Sequence, residues 1–141
     1  MRINNETSEV QINILRASNP ESEDYWDSNW LDAEIRIKVE GFSGNYGTNL
    51  RTDDLQRFYN DFLASTKAAI NEIEFTTMEE GLYLHFERQL TGTIVCRGLG
   101  NGNSGNSLTF QFSIDLITYE NFMHEVKNAM DLFPVVGNEK N

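Results

Sequence analysis

Asp32-Ala33-Glu34-Ile35-Arg36-Ile37-Lys38-Val39 alternates polar and apolar side chains without a break. A period of two is that of a strand with one face buried, so Ala33, Ile35, Ile37 and Val39 are expected to point inward. Gly41 and Gly44 punctuate the end of this strand. Phe42, Tyr46 and Leu50 then suggest a return strand, making a hairpin. Upstream, Val10, Ile12 and Ile14 alternate with Gln11 and Asn13 in the same manner. The first third of the chain therefore reads as antiparallel β-structure.

Immediately downstream the period changes. Thr52-Asp53-Asp54 offers a hydroxyl cap and two carboxylates near the positive end of a helix dipole. Leu55, Phe58, Tyr59, Phe62 and Leu63 follow at i, i+3, i+4, i+7 and i+8, which predicts an amphipathic helix over 52–68. The second half runs in the same order. Strand patterns occur at Ile73/Phe75, Leu82/Leu84/Phe86, Ile94/Cys96 and Leu108/Phe110/Phe112/Ile114. A helix over 118–132 then opens at Thr118, with Tyr119, Phe122, Met123, Val126, Met130 and Phe133 on one face, and stops at Pro134. Residue-level similarity between the halves is too thin to claim a duplication.

The expected fold is α+β: a single domain with a mostly antiparallel sheet of about six or seven strands and two amphipathic helices packed on one face. The domain is expected over 1–137, with a flexible tail at 138–141. Its core should include Ile35, Ile37, Phe58, Phe62, Phe110, Phe112, Phe122, Val126 and Met130.

The chain has 141 residues, with 22 acids against 11 bases and a net charge of −11. A domain of this size buries roughly 68–70% of its unfolded surface without disulfides or a structural metal. The acidic balance argues against nucleic acid and against anionic membrane surfaces, both of which need a basic footprint. It favours a basic partner, although solubility alone accounts for it equally well. A single cysteine, Cys96, rules out an internal disulfide framework and fits a reducing compartment. With no apolar segment near the N-terminus and no long apolar run, a cytoplasmic location is expected.

The charge is unevenly placed. From 17 to 35 there are six acids and no Lys or Arg, and from 68 to 87 five acids and no Lys or Arg. The first stretch contains Asp24-Tyr25-Trp26-Asp27-Ser28-Asn29-Trp30-Leu31, with both tryptophans of the chain. Aromatic rings among uncompensated carboxylates form either a local mini-core or a recognition surface for something basic. The expected partner-binding residues are Tyr25, Trp26, Asp27 and Trp30, with Glu79 and Glu80 as outlying charges. The competing expectation, strongest for Trp30, is that Trp26 and Trp30 fold inward to cover the open end of the sheet.

No catalytic, cofactor-binding or metal-ligating residues are expected. Gly100-Asn101-Gly102-Asn103-Ser104-Gly105 matches G-x-G-x-x-G, but a strand pattern follows where a phosphate-binding helix is required, so it reads as a hairpin loop. Gly41-Phe42-Ser43-Gly44 lies between strands and reads as a turn. His85 alternates with Tyr83 and Glu87 on the presumed outer face, and His124 falls on the polar side of the last helix. Both read as surface histidines. Cys96 shares a face with Ile94, so a buried, unreactive thiol is expected. One Cys and two scattered His do not supply ordinary zinc spacing. Asp27 to Asp32 lacks the Gly and bidentate Glu of a calcium loop.

The stretch Asp24 to Leu31 resembles the opening of WapI-like bacterial immunity proteins. Further similarities are Gly41 to Gly44, the Leu50 to Asp54 helix start, Glu74-Phe75-Thr76-Thr77-Met78-Glu79-Glu80, the strand Leu108 to Phe112, and Phe133-Pro134-Val135-Val136-Gly137. The Gly/Asn run at 98–106 departs from the pattern. The resemblance implies a cytoplasmic, non-enzymatic protein that neutralises a cognate toxin domain. Two other classes stay open: a small-molecule or metal-binding module using a pocket between sheet and helices, and an enzyme using dispersed carboxylates and His85.

Overall fold

The alternating stretch at 32–39 lies in the strand that organises the first sheet. The computed structural model describes residues 1–139. In chain order the elements are β1 (Arg2–Asn4), β2 (Glu9–Ala17), α1 (Tyr25–Ser28), β3 (Trp30–Val39), β4 (Phe42–Arg51) and α2 (Thr52–Ala68). The second half follows with β5 (Glu72–Phe75), β6 (Leu82–Arg88), β7 (Ile94–Asn101), β8 (Ser107–Ile114) and α3 (Leu116–Leu132).

The protein is α+β, and every strand pairing is antiparallel. Among the described residues the strands number eight and divide into two four-stranded sheets, β1-β2-β3-β4 and β5-β6-β7-β8, where one sheet was expected. Each half is thus four consecutive strands followed by a 17-residue helix. The division falls where α2 follows β4 and separates it in the chain from β5.

The sheets meet where glycine removes the side chain. A Cβ on Gly81 would sit 2.2 Å from Thr48 Oγ1, and one on Gly100 would sit 2.5 Å from Ile37 Cδ1. The Tyr46 hydroxyl donates to the Gly81 carbonyl at 2.7 Å across this seam. Burial pushes that hydroxyl's pKa up to about 12. Gly100, the first glycine of the G-x-G-x-x-G run, therefore serves sheet contact, and the turn that follows leads into β8.

The two sheets and two long helices share one core. Phe58 of α2 meets Phe75 of β5 edge-on at 5.3 Å, Phe86 of β6 at 5.9 Å and Phe122 of α3 at 6.1 Å. Ile35, Ile37, Phe110, Phe112 and Val126 are buried as expected, while Phe62 and Met130 are half-buried at its margin. Cys96 is buried, and burial pushes its thiol pKa up to about 12, which leaves it an inert core side chain.

The helix starts differ from the expected threonine caps. At α2 the capping position is Arg51, whose backbone N–H donates to Asp54 Oδ2 at 2.9 Å. At α3 it is Asp115, whose Oδ1 accepts from the Thr118 N–H at 2.7 Å. A carboxylate satisfies an orphan amide more strongly than a hydroxyl, and both caps use one. Of the tail expected at 138–141, residues 140 and 141 lie outside the described residues.

Candidate functional site

The aromatic–acid segment is a one-turn helix, α1, set between β2 and β3. Asp24 caps it, accepting from the amides of Trp26 at 3.1 Å and Asp27 at 3.2 Å. The preceding loop is tied down by Ser28 Oγ donating to the Ser22 carbonyl and Asn19 Nδ2 donating to the Asp27 carbonyl. A stretch that reads as a polar loop is thereby given a fixed shape.

What fills the space beneath α1 is Arg51, the last residue of β4, whose side chain is fully buried. The β3–β4 register places Arg51 opposite Trp30. Its guanidinium carbon lies 5.2 Å from the ring centre of Tyr25, 5.1 Å from Trp26 and 4.9 Å from Trp30. The edges of the group are used as well. Nε donates to Asp53 Oδ1 at 2.8 Å, Nη1 to the Trp26 carbonyl at 2.7 Å, and Nη2 to the Tyr25 carbonyl at 3.1 Å.

This arrangement satisfies a charge that would be costly to bury alone. A planar guanidinium presents donors at its rim and a face that aromatic rings attract, and here both are engaged. The two carbonyls belong to a short helix with unsatisfied acceptors, and a cation suits that negative end. Tyr25 completes the ring of contacts by donating to Asp53 Oδ2 at 2.9 Å. Burial, then the Asp53 carboxylate, raise its hydroxyl pKa.

Asn29, fully buried at the C-terminal cap of α1, anchors the assembly to the far end of the chain. Its Nδ2 donates to the carbonyls of Tyr25 at 2.7 Å and Val136 at 2.9 Å, and its Oδ1 accepts from the Val136 N–H at 2.8 Å. Gly137 then turns with φ +76°, and a Cβ there would press on the Glu23 and Tyr25 backbone at 3.3 Å. The sequence stretches 24–31 and 133–137 are therefore halves of one structure.

The expected partner-binding residues separate accordingly. Tyr25 and Trp30 are half-buried around Arg51, while Trp26 keeps 43% of its surface exposed and Asp27 is exposed. Glu79 and Glu80 lie on the exposed turn before β6. Glu79 lines an open cleft with Asp32, Asn49 and Asn101 along the seam between sheets. Among the described residues no hydrogen bond or ion pair joins Glu79 or Glu80 to the Tyr25–Trp30 segment. Of the six acids at 17–35, Asp32 pairs with Arg16 and Glu34 with Arg36, whereas Glu21, Glu23, Asp24 and Asp27 are exposed and have no ion pair among the described residues.

Other features take ordinary places. His124 is exposed on α3. His85 projects from the outer face of β6 with Nε2 3.1 Å from Glu72 Oε2. The space between α2, β5 and α3 is a cavity of about 70 Å³ lined by Phe62, Phe86, Ile94 and Tyr119. That is well short of the ~300 Å³ at which small-molecule pockets begin, whereas an open hollow beside it, lined by Asp61, Ile70, Ile73 and His85, reaches about 340 Å³.

The sequence pattern of the immunity protein WapI-like family matches residues 1–134. No curated protein is significantly similar to the chain. A solved structure of Trypanosoma brucei MRP1/MRP2 is similar over 87% of this chain and 84% of its own, at 8% identity and a TM-score of 0.45. That likeness is too slight to establish a shared fold or function.

Proposed function

Because this chain belongs to the WapI-like immunity protein family, we propose that it binds a cognate bacterial toxin domain in the cytoplasm of the producing cell and neutralises it without catalysis. The observation that carries this reading is the α1 edge. A half-exposed Trp26 stands on a rigid base among Glu21, Glu23, Asp24 and Asp27, none of which has an ion pair among the described residues.

A fixed aromatic side chain makes an efficient anchor because little conformational freedom is lost when it is covered. Carboxylates around it speed encounter with a basic surface and disfavour acidic competitors. The inner surfaces of the aromatic cluster are committed to Arg51, so Trp26 and Asp27 are the residues offered to the partner. Tyr25 and Trp30 hold them in place. Glu79 and Glu80 act at longer range, as charges that steer a basic toxin domain.

Affinity capture of the tagged protein from the native bacterium, followed by intact-mass analysis, tests the reading. It should recover a basic toxin domain in stoichiometric amount, and co-expression should restore growth to cells making that domain. Recovery of a metabolite alone, or a captured protein whose expression the chain does not render harmless, would overturn it.

A further inference from the structure

The outer face of the second sheet carries metal-ligating donors that the toxin-binding reading leaves unused. Glu72 of β5 stands directly opposite Glu87 of β6, and His85 pairs with Glu74 two positions along. Alternation puts the side chains of Glu72, His85 and Glu87 on the same face of the two strands. His85 Nε2 lies 3.1 Å from Glu72 Oε2. One donor atom from each of Glu72, His85 and Glu87 lies within 4.8 Å of the other two. We propose that these three side chains form a binding site for a first-row divalent transition metal, Zn²⁺ foremost.

Donors bound to one Zn²⁺ at ~2.0–2.2 Å sit roughly 3.3 Å apart, a spacing that small rotations of the exposed Glu72 side chain reach. His85 is the fixed member, with 17% of its side chain exposed against 62% for Glu72. Glu87 is oriented from outside the set: Arg97 Nη1 donates to its Oε2 at 2.9 Å. A hydrogen-bonded carboxylate held in this way is the usual support for a metal ligand.

An imidazole among carboxylates selects zinc-like ions over magnesium or calcium, which prefer all-oxygen shells. Two like charges directly opposite across strands repel, and a cation between them removes that cost. Three protein ligands on an open sheet face leave coordination positions for water or for a partner's side chain. An adjoining hollow is lined by Asp61 of α2 together with Glu72, Glu74 and His85. Its extra carboxylate, Asp61, comes from a different element and adds to the negative field.

Calorimetry of the whole chain with ZnCl₂ and the visible spectrum with CoCl₂ test the site. One equivalent should bind, and the His85 imidazole nitrogens should shift in NMR spectra of the unaltered protein. His85→Ala and Glu72→Gln should each weaken binding about tenfold or more while His124→Ala leaves it unchanged. The absence of saturable binding at millimolar metal would overturn the proposal. So would Zn²⁺ shifting the His124 resonances and not those of His85, or a folded His85→Ala protein that binds as its parent does.

Discussion

Asn29 and Val136 exchange two hydrogen bonds across 107 residues of chain, Asn29 Nδ2 donating to the Val136 carbonyl and the Val136 N–H to Asn29 Oδ1. An amide side chain presents a donor and an acceptor side by side, matching the N–H and C=O of one backbone residue. The segment after α3 is thereby docked against α1 and holds it from behind.

Asn29→Ala should cost about 2 kcal/mol in urea unfolding, because it leaves the Val136 amide and carbonyl without these partners in a part-buried place and removes one of the two side-chain donors to the Tyr25 carbonyl. Hydrogen exchange at the Val136 amide should speed up far more than exchange within α2. Unchanged stability with a protected Val136 amide would show that the docking does not depend on this side chain.

Arg51 is expected to be the most costly single substitution at the site. Arg51→Met keeps a linear apolar stem but takes the cation from Asp53, the donor from the Trp26 carbonyl and one of two side-chain donors from the Tyr25 carbonyl, at about 3 kcal/mol. Arg51→Lys should fall between, since an ammonium restores charge without the planar fork. Tryptophan fluorescence should shift to the red in both. A Met variant as stable as the parent, with an unaltered spectrum, would mean the rings are held by something else.

Asp54 supplies a test in pH. It is 2% exposed, and burial raises its pKa despite hydrogen bonds from the Arg51 amide and from Arg57. A raised folded-state pKa means the folded chain holds the proton more tightly than the unfolded one, so ionisation costs stability. The contribution is full below the ordinary value of 3.8 and is lost as pH rises through the folded value. Measured against Asp54→Asn by urea unfolding, the protein should lose relative stability as pH climbs from below 3.8 toward neutrality. A difference that grows with pH would show that the arginines outweigh burial.

How far such details could be read in advance depends on the range of the interaction. Ile35 and Ile37 announce their strand by local alternation, and Leu55, Phe58 and Phe62 announce α2 by local period. Both are within reach of a short window. Strand β1, at three residues, is too short to carry a period. The two-sheet split rests on contacts such as Gly81 with Thr48 and Gly100 with Ile37, between residues far apart in sequence. A glycine-rich run looks the same whether it turns or packs.

The site shows the same boundary. Clustered Trp26, Asp27 and Trp30 are visible as unusual composition, but the residue that organises them is not. Arg51 sits beside a helix start, where a basic residue normally faces water. Its partners lie 25 and 26 residues upstream. The available signal was an aromatic cluster with no base of its own and a strand register that sets Trp30 against Arg51. Asn29 likewise looks like a turn residue until Val136 is brought to it.

The most direct test of the toxin-binding account is the association rate of the protein with its captured toxin domain across a salt series, for the parent and for Asp27→Ala/Glu79→Ala. Both side chains are exposed and lie outside the ion pairs of the fold, so the variant should stay folded by circular dichroism. Association is expected to slow as salt rises and screening shortens the reach of the charges. The double variant should bind more slowly at low salt and respond less to added salt. A folded variant with the parent's rate and the parent's salt dependence would contradict the account and move the interface away from the α1 edge.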